Sequence, residues 1–215
     1  MLNSRRPPLL LATTVVLAIS IAGCSAAGGA GTTSPAASGE TLPEPGRTVA
    51  ATSVDDVTSV LASGATLSVV WVPSEPATAL LAGLEEVVAQ AGASIELFEA
   101  ASEADVESAF ASALDTQPDL LVGLGADVVD VFSFETPKQL SQQFLVLGAQ
   151  LAEPTANVTA VVWDGATSRG SGASADGPLD GAPPSDRLAG DAAVAGLASI
   201  SDGVTGVVVE VSASR

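Results

Sequence analysis

The chain has 215 residues and a formal net charge of −18, with 25 acidic against 7 basic side chains and neither His nor Tyr. No basic cluster is available to meet a phosphate backbone, which excludes nucleic-acid binding, and anionic lipid headgroups are repelled by such a surface. The content is 47% hydrophobic but only 3% aromatic, so any core is built from small aliphatic side chains, as an α/β domain requires.

The first stretch, "MLNSRRPPLLLATTVVLAISIAGC", carries Arg5 and Arg6 ahead of an apolar run from Leu9 to Ala22 and small residues before Cys24. This is the pattern of an export signal over residues 1–23, too short and one-sided for a comfortable transmembrane span. Cys24 is the single Cys of the chain, so it cannot staple a domain with an internal disulfide, whereas it can be a sole site of lipid attachment. Cleavage before Cys24 removes Arg5 and Arg6 and takes the formal charge from −18 to −20. Residues 24–50 comprise Cys24 and then "SAAGGAGTTSPAASGETLPEPGRTVA". The Gly, Ser, Ala, Thr and Pro content without periodicity reads as a flexible linker with a reach of about 28 Å.

From residue 54 the pattern turns periodic, and a folded domain is expected over 54–211. "VDDVTSVLAS" (54–63) reads as a short leading helix and "TLSVVWV" (66–72) as a buried central strand. "SEPATALLAGLEEVVAQAG" then places Leu80, Leu81, Leu84, Val87, Val88 and Ala91 on one helical face, with Pro76 near its start and Gly92 just past its end. "ASIELFEA" (93–100) is a second strand, and the helix after it opens with Ser102 and Asp105 at capping-box spacing. "DLLVGLG" (119–125), "QFLVLGA" (143–149) and "NVTAVVWDG" (157–165) are further strands. After Asp164 about 22 residues carry almost no large apolar side chain, so a long mobile surface loop is expected over 165–185. A helix capped by Ser185 then leads to a Val-rich strand, "GVTGVVVEV". Alternating strands and helices predict a three-layer αβα lobe with a mostly parallel sheet and right-handed crossovers.

Four stretches in order carry a family resemblance: residues 66–91, "QPDLLVGLGADVVDVF" (117–132), "QQFLVLGAQL" with "NVTAVVWD" (142–164), and "RLAGDAAVAGLASISDGVTGVVVEV" (187–211). Together with the Ile21-Ala22-Gly23-Cys24 lipobox pattern, they make the chain similar to bacterial lipoproteins of the basic membrane protein family. These are substrate-binding proteins of ABC transporters with the periplasmic-binding-protein-like type 1 fold. The resemblance implies a diacylglyceryl group on Cys24, an extracytoplasmic domain held at the cell membrane, and an ABC permease as partner. It also implies that the helix starting "RLAG" crosses to a second lobe whose first strand is 203–211. Nothing follows that strand, so a flavodoxin-like half without its second lobe is expected, with the strand recruited to the edge of the only sheet or a second lobe supplied by another chain. The family's nucleoside-pocket signature after the first strand has no counterpart in "WVPSEPATALL", which leaves the ligand open.

In an open parallel sheet, ligands bind beyond the carboxyl ends of the strands. The candidate rim is therefore Ser74 and Glu75 after the first strand of the domain, Asp127 after the third, Gln150 after the fourth and Asp164 after the fifth. The same residues also fit plain duties as helix caps, turns and solvated loop positions. As a rim they suit an uncharged or cationic small molecule. "GLGADV" (123–128) lacks the third Gly of a dinucleotide fingerprint and fits better a tight strand-to-helix turn capped by Asp127. Asp164, Asp176 and Asp180 match no calcium-loop spacing. With no His, no second Cys and no Gly-x-Ser-x-Gly elbow, neither a hydrolase triad nor a zinc site can be assembled, so no catalytic residue, metal or cofactor is expected. Two functions remain open: a solute-binding component of a transporter, and a surface interaction or assembly lipoprotein without a small ligand.

Overall fold

A computed structural model describes residues 44–54, 56–151, 154–166 and 183–212. Cys24, the export signal, most of the linker, and Asp176 and Asp180 of the Gly-rich stretch lie outside the described residues. The described chain forms β1 (Thr48–Ala50), β2 (Thr66–Trp71), α1 (Glu75–Ala91), β3 (Ser94–Glu99), α2 (Val106–Asp115), β4 (Leu120–Leu124), α3 (Val129–Glu135), β5 (Phe144–Leu147), β6 (Val158–Val162), α4 (Asp186–Ser201) and β7 (Val208–Glu210). The seven strands make one sheet in the order β1-β7-β6-β5-β4-β2-β3, and every pair in it is parallel. The α/β class and the layered parallel lobe expected from the sequence are therefore present.

The two faces of the sheet are separate apolar layers, as the alternation of strand side chains demands. Leu67, Val69 and Trp71 of β2, with Leu145, Leu147, Val161 and Val209, pack under α1 and α4. Val70, Leu121, Val146, Ala160 and Val208 face the other way, under α2 and α3. There Phe110, Phe132 and Phe144 form the one aromatic cluster among the described residues, with ring centroids 5.1 to 6.2 Å apart. α1 begins and ends as its sequence dictates: Ser74 Oγ accepts from the Ala77 N–H, Pro76 sits in the first turn, and Gly92 closes the helix at φ +70°. Ser185 likewise caps α4 by accepting from the Leu188 N–H. α1 and α4 approach closely because small residues meet. A Cβ on Gly83 would lie 2.7 Å from both the Ala189 carbonyl carbon and the Gly190 nitrogen.

Several details differ from the sequence pattern. Thr48–Ala50, at the end of the expected linker, is a strand: it pairs with β7, and the Gly46 N–H donates to the Gly206 carbonyl at 2.6 Å. In consequence the terminal strand is not at the edge of the sheet. β7 lies between β6 and β1, and Val207, Val208, Val209 and Val211 are all buried. The leading helix reduces to a 3-10 turn, Val57–Ser59, capped by Asp56. Val54, Val57, Val60 and Leu61 around it pack into the α1/α4 layer, so the chain from β1 to β2 crosses that face of the sheet. Ser102 and Asp105 do not form a capping box; the Ser102 hydroxyl donates to the Asp105 carboxylate at 2.7 Å.

The hand of the last crossover also departs from expectation. β2–α1–β3 steps toward the β3 edge with its helix on one face, while β3–α2–β4 and β4–α3–β5 step the opposite way with helices on the other face, so all three share a hand. β6–α4–β7 steps away from the β3 edge, yet α4 lies on the α1 face. Its hand is therefore opposite to that of the other three, against a strong preference for right-handed βαβ units. The stretch between Ala166 and Ser185 is far longer than an ordinary strand-to-helix loop, which gives the chain the length to change faces.

Candidate functional site

Because all strands are parallel, the carboxyl ends of β2, β4, β5 and β6 lie at one end of the sheet, and these four are consecutive neighbours in it. The five rim positions follow those strands directly, so the topology brings Ser74, Glu75, Asp127, Gln150 and Asp164 to the same end. β2 is also the point where the chain reverses direction across the sheet: β3 adds on one side of it and β4 on the other.

The side chains are placed very differently. Ser74 is committed as the α1 cap, at 3.4 Å from the Ala77 nitrogen. Glu75 occupies the first turn of α1, where its charge complements the helix dipole. Asp127 is half-buried in a 3-10 turn, Ala126–Val128, whose preceding residue, Gly125, holds φ +81°. "GLGADV" is thus a strand-to-helix turn set by the Gly125 backbone, not by an Asp127 cap. Gln150 is 7% exposed, whereas Asp164 is exposed in a turn before Ala166.

Two features at this end were not read from the sequence. Trp71, the last residue of β2, is 9% exposed, and its indole N–H has no hydrogen-bond partner among the described residues. An unsatisfied buried donor is uncommon and costs free energy unless a water or ligand acceptor meets it. The second feature is a tight junction. Gly148, directly after β5 and at φ +84°, lies so close to its neighbours that a Cβ would sit 3.0 Å from Leu80 and 3.2 Å from the ring of Trp163. Protein side chains therefore fill the space above β5 on the α1 face. Neither feature has a local sequence signal, since both depend on elements that meet only in the fold.

A groove of about 530 Å³ lies at the opposite end of the sheet, among the starts of β2, β4 and β5 and the end of α4. Val60, Leu61, Leu67, Leu120 and Ile200 supply its apolar lining, and Asp119 and Gln143 its polar groups. The Asp119 carboxylate accepts from the Thr66 N–H at 2.8 Å and from the Thr66 hydroxyl at 3.0 Å, and these two bonds hold its pKa below the ordinary 3.8. Among the described residues, no group of three or more His, Cys, Asp or Glu side chains is arranged to hold a metal ion. No described helix is long and apolar enough to cross a membrane.

No protein-family model matches the chain, and no curated protein matches it. Solved structures to which it is similar include an ABC transporter solute-binding protein from Aeropyrum pernix K1, with 17% identity and a TM-score of 0.42, covering 47% of this chain and 29% of that one. A fragment of a protein provisionally classed as a lipoprotein, from Peptoclostridium difficile 630, matches with 14% identity and a TM-score of 0.42 over 46% of this chain and 84% of that one. A LacI-family transcriptional regulator from Weissella paramesenteroides, with bound sucrose, matches with 18% identity and a TM-score of 0.36 over 45% of this chain and 36% of that one. The chain thus spans less than a third of the length of the Aeropyrum protein.

Proposed function

We propose that this chain is an extracytoplasmic lipoprotein, anchored through acylated Cys24, whose α/β domain serves as a solute-binding component of an ABC transporter. The sequence Ile21-Ala22-Gly23-Cys24 after a basic and apolar leader supports the anchor. Two acyl chains on one Cys give stable attachment where a single chain gives only reversible binding. The observation that carries the solute-binding reading is the Trp71 indole N–H, without a hydrogen-bond partner among the described residues, at the carboxyl end of β2 beside the strand-order reversal where open parallel sheets take their ligands. Glu75, Asp127, Gln150 and Asp164 are the polar groups proposed to share that rim, with Ser74 contributing mainly as the α1 cap. An ABC permease is the proposed partner, and the closer kinship to the basic membrane protein family rests on the four sequence stretches.

The test is a thermal-shift panel of nucleosides, amino acids, amines and sugars on the mature domain, repeated on Trp71→Phe. A ligand that binds the native state raises the Tm with concentration. This reading requires at least one such shift in the native protein, and its loss or marked reduction in Trp71→Phe.

The close packing of Leu80 and Trp163 around Gly148 favours a second reading, in which the domain is a surface interaction or assembly module without a small ligand. A panel with no shift at millimolar concentrations, combined with normal membrane attachment, selects that reading.

A further inference from the structure

We propose that the amino end of the parallel sheet is the membrane-facing end of this domain, seated on the lipid interface through Phe134 and Leu140, with the carboxyl-end rim turned away from the bilayer. The inference rests on the Cys24 anchor proposed above.

An all-parallel sheet has two chemically distinct ends, and the chain coming from Cys24 joins this one at a defined end. β1 starts at Thr48 and runs parallel to its neighbour, so Glu44 to Arg47 lie at the amino end of the sheet. The entry is fixed there by the Gly46 N–H on the Gly206 carbonyl and by the Arg47 carbonyl accepting from the Val208 N–H at 2.9 Å. The same end carries the most exposed large apolar side chains of the described residues. α3 runs from the carboxyl end of β4 back toward the start of β5, and its last turn and the segment after it present Phe134, 69% exposed, and Leu140, 68% exposed. A Phe and a Leu this exposed within one short segment offer apolar area that a lipid interface can bury.

Lys138 fits the same surface. Its ammonium lies 3.7 Å from the Phe134 ring centroid and 2.8 Å from the Glu135 carboxylate. The ammonium over the ring is a cation–π contact, and its ion pair with Glu135 leaves no uncompensated charge beside Phe134. Arg47 and Lys138 are set against Glu44, Asp115, Asp119, Glu135 and Asp202 at this end, so attraction to anionic lipid does not drive the contact. The apolar side chains do, and the Leu61 and Ile200 walls of the groove open at the same end.

The experiment uses the full-length, lipidated protein. Cys24 is its only Cys, so once acylated it leaves an introduced thiol as the single labelling site. Phe134→Cys, Leu140→Cys and, at the far end, Asp164→Cys each carry an environment-sensitive fluorophore in phosphatidylcholine vesicles that contain brominated lipid. The expected result is a blue shift with bromolipid quenching at 134 and 140 and neither at 164. If mass spectrometry confirms acylated Cys24 and the three probes respond alike, the orientation is wrong and the anchor stands. If Cys24 is unmodified in the membrane fraction, both fall. Protection of 134 and 140 in intact cells but not in vesicles overturns the lipid contact in favour of a protein partner.

Discussion

Asp119 and Asn157 are the side chains that tie distant parts of this chain together. Asp119 holds the start of β2 to the start of β4 by accepting two hydrogen bonds from Thr66, 53 positions away. Those bonds favour the ionised carboxylate, so its folded pKa lies below the unfolded value near 3.8. The stabilisation is therefore fully present above about pH 4 and is lost as pH falls through the folded pKa. Asp119→Asn should lower stability at pH 7 and change it little at pH 2, flattening the acid limb of the stability curve, measured by urea unfolding between pH 2 and 7. Asn157, buried before β6, donates through Nδ2 to the carbonyls of Thr136, Gln139 and Gln142, while its own carbonyl accepts from the Phe144 N–H. Thr136 and Gln139 keep backbone partners for their carbonyls, the N–H groups of Gln139 and Gln142, so Asn157→Leu takes the donor from the Gln142 carbonyl; at about 1–3 kcal/mol for a buried polar group left unpaired it should lower the midpoint of denaturant unfolding clearly. Ser74 and Ser185 were legible as caps because a cap and its partner are three residues apart. The pairing of Asp119 with Thr66 was not, because nothing local in "QPDL" or "GATL" specifies a partner.

At the scale of elements, the Val-rich strands and the α1 stripe could be read directly, since burial on one or two faces imposes a period on the sequence. β1 could not: "TVA" carries one half-buried side chain, and it is a strand only because β7 offers it a free edge. That pairing changes the expected consequence of truncation. Val207, Val208, Val209 and Val211 are buried in or beside an interior strand, and each fully buried Val contributes roughly 1.5 kcal/mol or more. Deleting 203–215 should therefore remove stability comparable with the whole of a typical domain's 5–15 kcal/mol, giving unfolded or aggregated protein by circular dichroism. An unchanged Tm after that deletion would mean that β7 does not belong to this sheet. Deleting 44–50 is a milder change. It bares the β7 edge and removes from the α1/α4 layer only the half-buried Val49, so the expected outcome is a folded protein that associates at high concentration in sedimentation velocity runs.

For the molecule as a whole, the sequence carried the layer architecture and the parallel class but not the hand of the last crossover or the place of β7. Hydrophobic period reports which face of an element is buried, not which side of the sheet its helix takes. The hand of β6–α4–β7 is settled by α4 finding α1, where Gly83 admits the Ala189 and Gly190 backbone. Gly83→Val, which drives a side chain into that backbone, should cost about 1–3 kcal/mol or more by overpacking and loosen α4 selectively, seen as faster hydrogen exchange across 186–201. The rim was legible as a set of strand ends. Its filling by Leu80 and Trp163 was not, because helix and strand meet there only after folding.

The proposed anchoring through Cys24 is open to one direct measurement. Intact mass spectrometry of the protein from the membrane fraction of its native host, alongside Cys24→Ser, should show a mature chain beginning at Cys24 with a diacylglyceryl modification. The Cys24→Ser protein should be absent from that form and recovered as unprocessed precursor or in the medium. A membrane-fraction protein that retains Met1, or that begins elsewhere with an unmodified Cys24, would contradict the account.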